Sequence, residues 1–276
     1  MMRKLGILIL DGVLSSFRSK KAILFLVLYL GTFFIFCYGF IKVEEKIVHE
    51  LEKQGINETS RKALSSAVKK ILREKNDELV VDFLLTVPYF NTALFVLSIF
   101  CTPLLILLLR YDVPAREIYD GTLRFLTFRV SRGIFILARF LGGVIEFALI
   151  TLAAHCVAIL WVKAKVPLFP AGESFRAGFV FWLRLQFFFS VFIAFALLVS
   201  VIVKKPFLAL LVAVLGILIL FMIPIWIDYI SPFDIEYIGG LFYSPSPRLY
   251  YTLGAYLGFT VLFLGCAAAV FQRKNL

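Results

Sequence analysis

The chain has 276 residues, 61% of them hydrophobic and 17% charged, with a formal net charge of +11. Together with a mean hydropathy of +0.94, this lies outside the range of a soluble globular domain, so the chain reads as an all-α integral membrane protein. The positive excess then belongs at a membrane surface rather than on a nucleic acid, because short loops rich in Lys and Arg stay on the cytoplasmic side.

Residues 1–19 come first. Leu5, Leu8, Ile9 and Val13 recur at helical spacing, with Lys4, Asp11, Ser15 and Arg18 elsewhere, which predicts an amphipathic helix lying in the interface. An extended first span is the alternative. A secretory signal is not favoured, since Asp11 breaks the apolar run and no small-residue cleavage site follows.

Residues 20–276 form the membrane-spanning body. A helix needs roughly 20 apolar residues to cross about 30 Å of hydrocarbon. Six runs of that size occur, at about 22–41, 90–109, 141–162, 181–203, 206–226 and 251–271. Placing both termini in the cytoplasm puts fifteen basic residues and four acids on the inner side, an excess equal to the whole net charge of +11. The inverted topology would put nearly all of it on the wrong side.

Between the first two spans lies a polar segment. Val43, Ile47 and Leu51 fit one helix face and Leu64, Val68, Ile71 and Leu72 another, with the turn signal QGINETS between them, which predicts an extracytoplasmic helical hairpin over 43–86. Such an insert offers a surface to an extracytoplasmic protein. The third span carries Glu146 and His155, nine residues apart and about half a turn off a common face, so joint acid/base chemistry is not expected. Glu146 and Arg184, the latter in the fourth span, are the candidate intramembrane polar site, with Arg139 the nearer candidate partner for Glu146. His155 beside Cys156 is the one adjacent pair of soft or imidazole ligands, and a packed histidine is favoured over a metal path. The sixth span contains Gly254 and Gly258, a close-packing pair.

The remaining segment, 110–133, is too long and too charged to be a mere link. Asp112 and Pro114 signal a helix start, with the helix running to about Asp120. Gly121 is a natural stop, Thr122 a cap for a second helix, and Ser131 a cap for a third that becomes the next span. Arg124, Arg129 and Arg132 follow, and anionic headgroups are one counterpart for them, worth about 1 kcal/mol each. The interleaved acids Glu117 and Asp120 point instead to a soluble partner.

Taken together, Asp112, Glu117, Gly121, Thr122, Leu123, Leu126, Ser131 and Arg132, followed by RFLGG from Arg139, resemble the cytoplasmic signature of type-two ABC exporter permeases, and within them the NosY-like group most closely. The resemblance implies a transmembrane permease subunit in the cytoplasmic membrane of a prokaryote, paired with an ABC ATPase subunit that holds ATP and magnesium and with a second permease subunit, identical or paralogous. It also implies a coupling role for Asp112, Arg116, Glu117, Asp120, Gly121, Thr122 and Arg124, with Ser131 and Arg132 as the cytoplasmic linker. No Gly precedes a Lys anywhere in the chain, so a Walker A loop, and with it ATP hydrolysis by this chain, is not expected; nor is a cofactor of its own. The expected function is export of a substrate, lipid-like given the 31 Phe residues. The alternative is an ABC-driven subunit that moves or recruits an extracytoplasmic partner without transport. A self-contained secondary transporter would show repeated halves or interrupted spans, and the chain offers little of either.

Overall fold

The computed structural model describes residues 2–18, 20–53, 89–111, 113–119, 130–166, 169–203, 205–226, 241 and 247–273. Among them the regular structure is entirely helical: α1 (Met2–Arg18), α2 (Lys20–Lys53), α3 (Tyr89–Arg110), α4 (Val113–Tyr119), α5 (Arg132–Lys165), α6 (Ala171–Ile202), α7 (Pro206–Trp226) and α8 (Pro247–Arg273).

Helix α1 forms where the periodicity places it. Leu5, Leu8, Ile9 and Val13 are partly buried and Gly12 is buried, and the helix packs on α5. Ile7, Leu10, Leu14 and Phe17 form a second, exposed apolar stripe. A helix apolar on two sides suits a place between protein and lipid.

Among the described residues, five helices are long and apolar enough to cross a membrane, within Leu26–Val43, Phe90–Ile118, Arg132–Lys165, Ala171–Ile202 and Leu249–Arg273. The run expected to cross at 206–226 is helical as α7, but its Phe207–Ile219 stretch counts, among the described residues, as a shorter apolar helix. Helix boundaries also differ from the expected spans. The 34 residues of α5 begin at Arg132 rather than near 141 and extend about 51 Å, well beyond a hydrocarbon core. Helix α6 likewise begins at Ala171 rather than near 181. Apolar runs mark where lipid is met, not where the helix stops.

The same holds for α2, a single 34-residue helix that continues past 41 to Lys53. The first arm of the expected hairpin is thus continuous with the first span. No Gly or Pro interrupts Phe40 to Lys53, and its Lys, Glu and Leu residues are good helix formers. The rest of the hairpin lies outside the described residues.

Helix α6 is the hub, packing against α3, α4, α5, α7 and α8. Its Phe181, Phe188, Phe189 and Phe192 are fully buried. The Phe188 ring meets Phe192 edge-on at 4.9 Å and Tyr256 of α8 at 5.4 Å, favoured aromatic geometry. The phenylalanine cluster around QFFFSVF is therefore mainly core between α6 and its neighbours. Close approach is bought with small residues: a methyl group at Gly178 would lie 3.3 Å from Ile159 Cδ1, and one at Gly216 only 2.6 Å from Phe195 Cζ.

Towards the ends of the bundle remote from α4, polar side chains tie the helices together. Asn91 Nδ2 donates to the Ser174 carbonyl at 2.7 Å, and the Tyr29 and Thr102 hydroxyls are 3.0 Å apart. His155 is the packed histidine expected, with Nδ1 2.7 Å from the Thr151 carbonyl and Nε2 3.3 Å from Ser98 Oγ. Trp182 Nε1 donates to Thr151 Oγ1 at 3.1 Å. In an apolar surround each buried polar group needs such a partner.

Candidate functional site

Two charged residues of the sequence signature, Glu117 and Arg139, meet the pair Arg110 and Glu146 where α3, α4 and α5 come together. Helix α4 begins one residue past Asp112, with Pro114 in its first turn, where a missing N–H costs nothing. Pro114 and Ala115 are buried and Arg116 is exposed. The Ala115 N–H donates to Ser200 Oγ of α6 at 3.0 Å, so the short helix is held against the hub by a first-turn amide that has no partner within the helix.

Two ion pairs bind this corner to α5. Arg110, at the last residue of α3, donates through Nη2 to Glu146 Oε2, with the two residues only 4% and 1% exposed. Glu117 of α4 accepts through Oε1 from Arg139 Nη2. Burial pushes the Glu117 carboxyl up from its ordinary value, while the Arg139 guanidinium pulls it down and Asp11 of α1 adds to the rise. The pairing of Glu146 with Arg139 expected from sequence is not what forms. Arg139 is taken by Glu117, and Glu146 is reached by Arg110 from 36 positions away, a contact that no local spacing announces.

Glycines make this arrangement fit. A methyl group at Gly143 would stand 3.5 Å from Arg110 Nε and Cζ and 2.8 Å from Ile193 Cγ2, so the bare backbone lets the guanidinium lie across α5 beneath α6. A methyl at Gly142 would stand 3.6 Å from the Ile9 carbonyl, and one at Gly12 would stand 2.9 Å from Arg139 Nη1. The RFLGG stretch thus supplies one charge and two close approaches, which its sequence resemblance alone does not explain. Arg139 also lies over the Phe135 ring, 5.3 Å from its centroid.

The other predicted residues are distributed differently. Asp112, Asp120, Gly121, Thr122, Arg124 and Arg129 lie outside the described residues. Ser131 stands at the N-cap of α5 as expected, but its side chain makes no capping bond; its carbonyl receives the Phe135 N–H at 3.1 Å. Arg132 turns to the end of α8, donating to the Gln272 carbonyl at 2.8 Å and the Phe271 carbonyl at 3.4 Å. A guanidinium there satisfies carbonyls the helix leaves open and opposes the negative end of its dipole. Arg184 donates to the Leu241 carbonyl at 2.8 Å, whereas Glu146 accepts from Arg110. Gly254 and Gly258, expected to pack within the subunit, have no atom within 4 Å of an added methyl and are exposed.

A multi-pass helical body with a short, charged helix docked at the ends of its spans is the form of a membrane permease subunit. A family model described as ABC-2 family transporter protein matches residues 12–232, four-fifths of the chain, and the chain belongs to that family. No curated protein matches it. Membership implies that it pairs with an ABC ATPase subunit and is not itself the enzyme.

Proposed function

We propose that the chain is the permease subunit of an ABC exporter with six spans and cytoplasmic termini, residing in the cytoplasmic membrane of a prokaryote. Helix α4 is the coupling helix, docking in an ATPase subunit that supplies ATP and magnesium. The observation that carries this reading is the disposition of α4: its buried side is fastened to α6 through Ala115 and to α5 through Glu117, while Arg116 is exposed. A helix bound tightly to the body on one side and presenting charge on the other is suited to pass motion from a soluble partner to the spans. The charge excess on the same side of the membrane supports the topology.

A second copy completes the path. The exposed Gly254 and Gly258 on α8, beside the exposed Tyr251, Leu257 and Val261, are the small-residue surface on which another helix packs closely. A lipid-like cargo is supported by an apolar groove between α2 and α5, lined by Phe33, Phe34, Ala154, Val157 and Trp161. The second reading, in which the subunit moves an extracytoplasmic partner, draws on the unbroken run of α2 to Lys53, which would carry motion outward; deleting 44–84 would then abolish recruitment while leaving any transport intact.

The test is charge reversal at the exposed Arg116. Arg116→Glu is expected to insert normally yet lose its co-purifying ATPase subunit, because like-charge contacts at an interface cost several kcal/mol. Undiminished ATPase binding and hydrolysis in that variant would remove the coupling role of α4.

A further inference from the structure

The two ion pairs are related by a regularity that neither shows alone. Arg110 and Glu117 are seven residues apart across the α3–α4 corner; Arg139 and Glu146 are seven residues apart on α5. Seven residues are two helical turns, so Arg139 and Glu146 share one face of α5 about 10.5 Å apart. The pairs run antiparallel, Arg110 to Glu146 and Glu117 to Arg139, and the sign alternates along each side. One small cavity is lined by Arg110, Val113, Arg139, Ile193 and Leu197, so an arginine of each pair borders the same space. Glu117 is close enough to feel Arg110 as well as Arg139.

The geometry points to a charge-swapped ladder that positions the coupling corner: the alternation of sign fixes the register of the α3–α4 corner on α5, so that α4 and α5 move as one body. If the corner slid along α5 by the rung spacing, Arg110 would meet Arg139 or Glu117 would meet Glu146. Each contact sets like charges together where little water screens them. Apolar packing alone would tolerate such a slide; the charge pattern does not. Gly143 belongs to the device, since it clears the way for Arg110, and Gly12 of α1 clears the space beside Arg139. Glu117 and Arg139 are thus positioning residues. The mechanical consequence rests on the reading of α4 as the coupling helix, but the ladder itself does not.

The experiment places spin labels at Arg116 on α4 and Leu137 on α5, both exposed, in the full-length permease with its four native cysteines replaced. The distance is read in the native sequence at the rung, in Arg139→Gln, in Glu117→Arg and in the exchange Glu117→Arg with Arg139→Glu. The expected results are one narrow distance for the native rung, its loss in each single variant, and its return in the exchange, which re-forms the pair with the charges reversed. A narrow distance in the single variants, or an exchange no better than they are, overturns the ladder. Where a single variant is not recovered folded, recovery of the exchange supports the ladder and its failure overturns it. ATP hydrolysis by the assembled complex is read in parallel. Single variants that lose the narrow distance but leave ATPase binding and hydrolysis unaltered would preserve the ladder and refute the coupling role of α4.

Discussion

Glu146→Gln is the most revealing single change in the buried cluster. It leaves shape nearly intact and the amide oxygen can still accept from Arg110, but it removes the carboxylate charge that the Arg110 guanidinium is paired with. Because that guanidinium is 4% exposed and arginine cannot shed its proton, breaking the pair is expected to cost about 3–5 kcal/mol. Against a total stability on the order of 5–15 kcal/mol, that is a loss of roughly a fifth or more. Arg110→Gln should cost less, since a stranded carboxyl can take up a proton. The double variant leaves two neutral amides able to bond each other, and it should recover about 1–3 kcal/mol relative to the sum of the singles. Unfolding of the purified permease in mixed micelles, followed for all four proteins, measures the cycle. Strict additivity, or a Glu146→Gln variant within about 0.5 kcal/mol of the native chain, would refute a stabilising pair.

Gly143→Ala should destabilise the bundle by about 1–3 kcal/mol through overpacking, because the added methyl would meet Ile193 at 2.8 Å and Arg110 at 3.5 Å; thermal unfolding checks it. Arg132→Ala should free the end of α8, giving faster hydrogen exchange at residues 270–273 with little global effect, as expected for about 0.3–1 kcal/mol at a helix end. The raised Glu117 carboxyl has a defined sign in pH: its contribution is fully present below the ordinary carboxyl value of 4.5 and is lost as pH rises through the raised value. The stability of the native chain relative to Glu117→Gln should therefore fall from acid to neutral pH, a trend that parallel denaturation curves would show.

Much of the architecture was legible because it rests on local pattern. The helix α1 and its packed face follow from Leu5, Leu8, Ile9 and Val13, and the start of α4 follows from Pro114. What escaped was long-range. Arg110 stands just past the apolar run 90–109, and only the folded corner brings it to Glu146. Glu117 read as a docking acid, yet it is turned inward to Arg139, so reversing it would damage the permease before it tested any partner. Arg132 read as a lipid or ATPase contact, whereas the end of α8, 140 positions away, uses it as a cap. The glycines of RFLGG carried a detectable signal, since two adjacent glycines within a helix disfavour it unless close packing repays them. That signal identifies a close approach but not which helix makes it.

That Val113–Tyr119 carries the contact with the ATPase subunit is tested most directly by a photo-reactive amino acid at position 116, an exposed residue of α4, in membranes holding the assembled transporter. Irradiation should join the permease to the ATPase subunit, and the same probe at Leu137 on α5 should yield lipid or permease adducts instead. An ATPase adduct from position 137 with none from position 116 would contradict the coupling role of this helix.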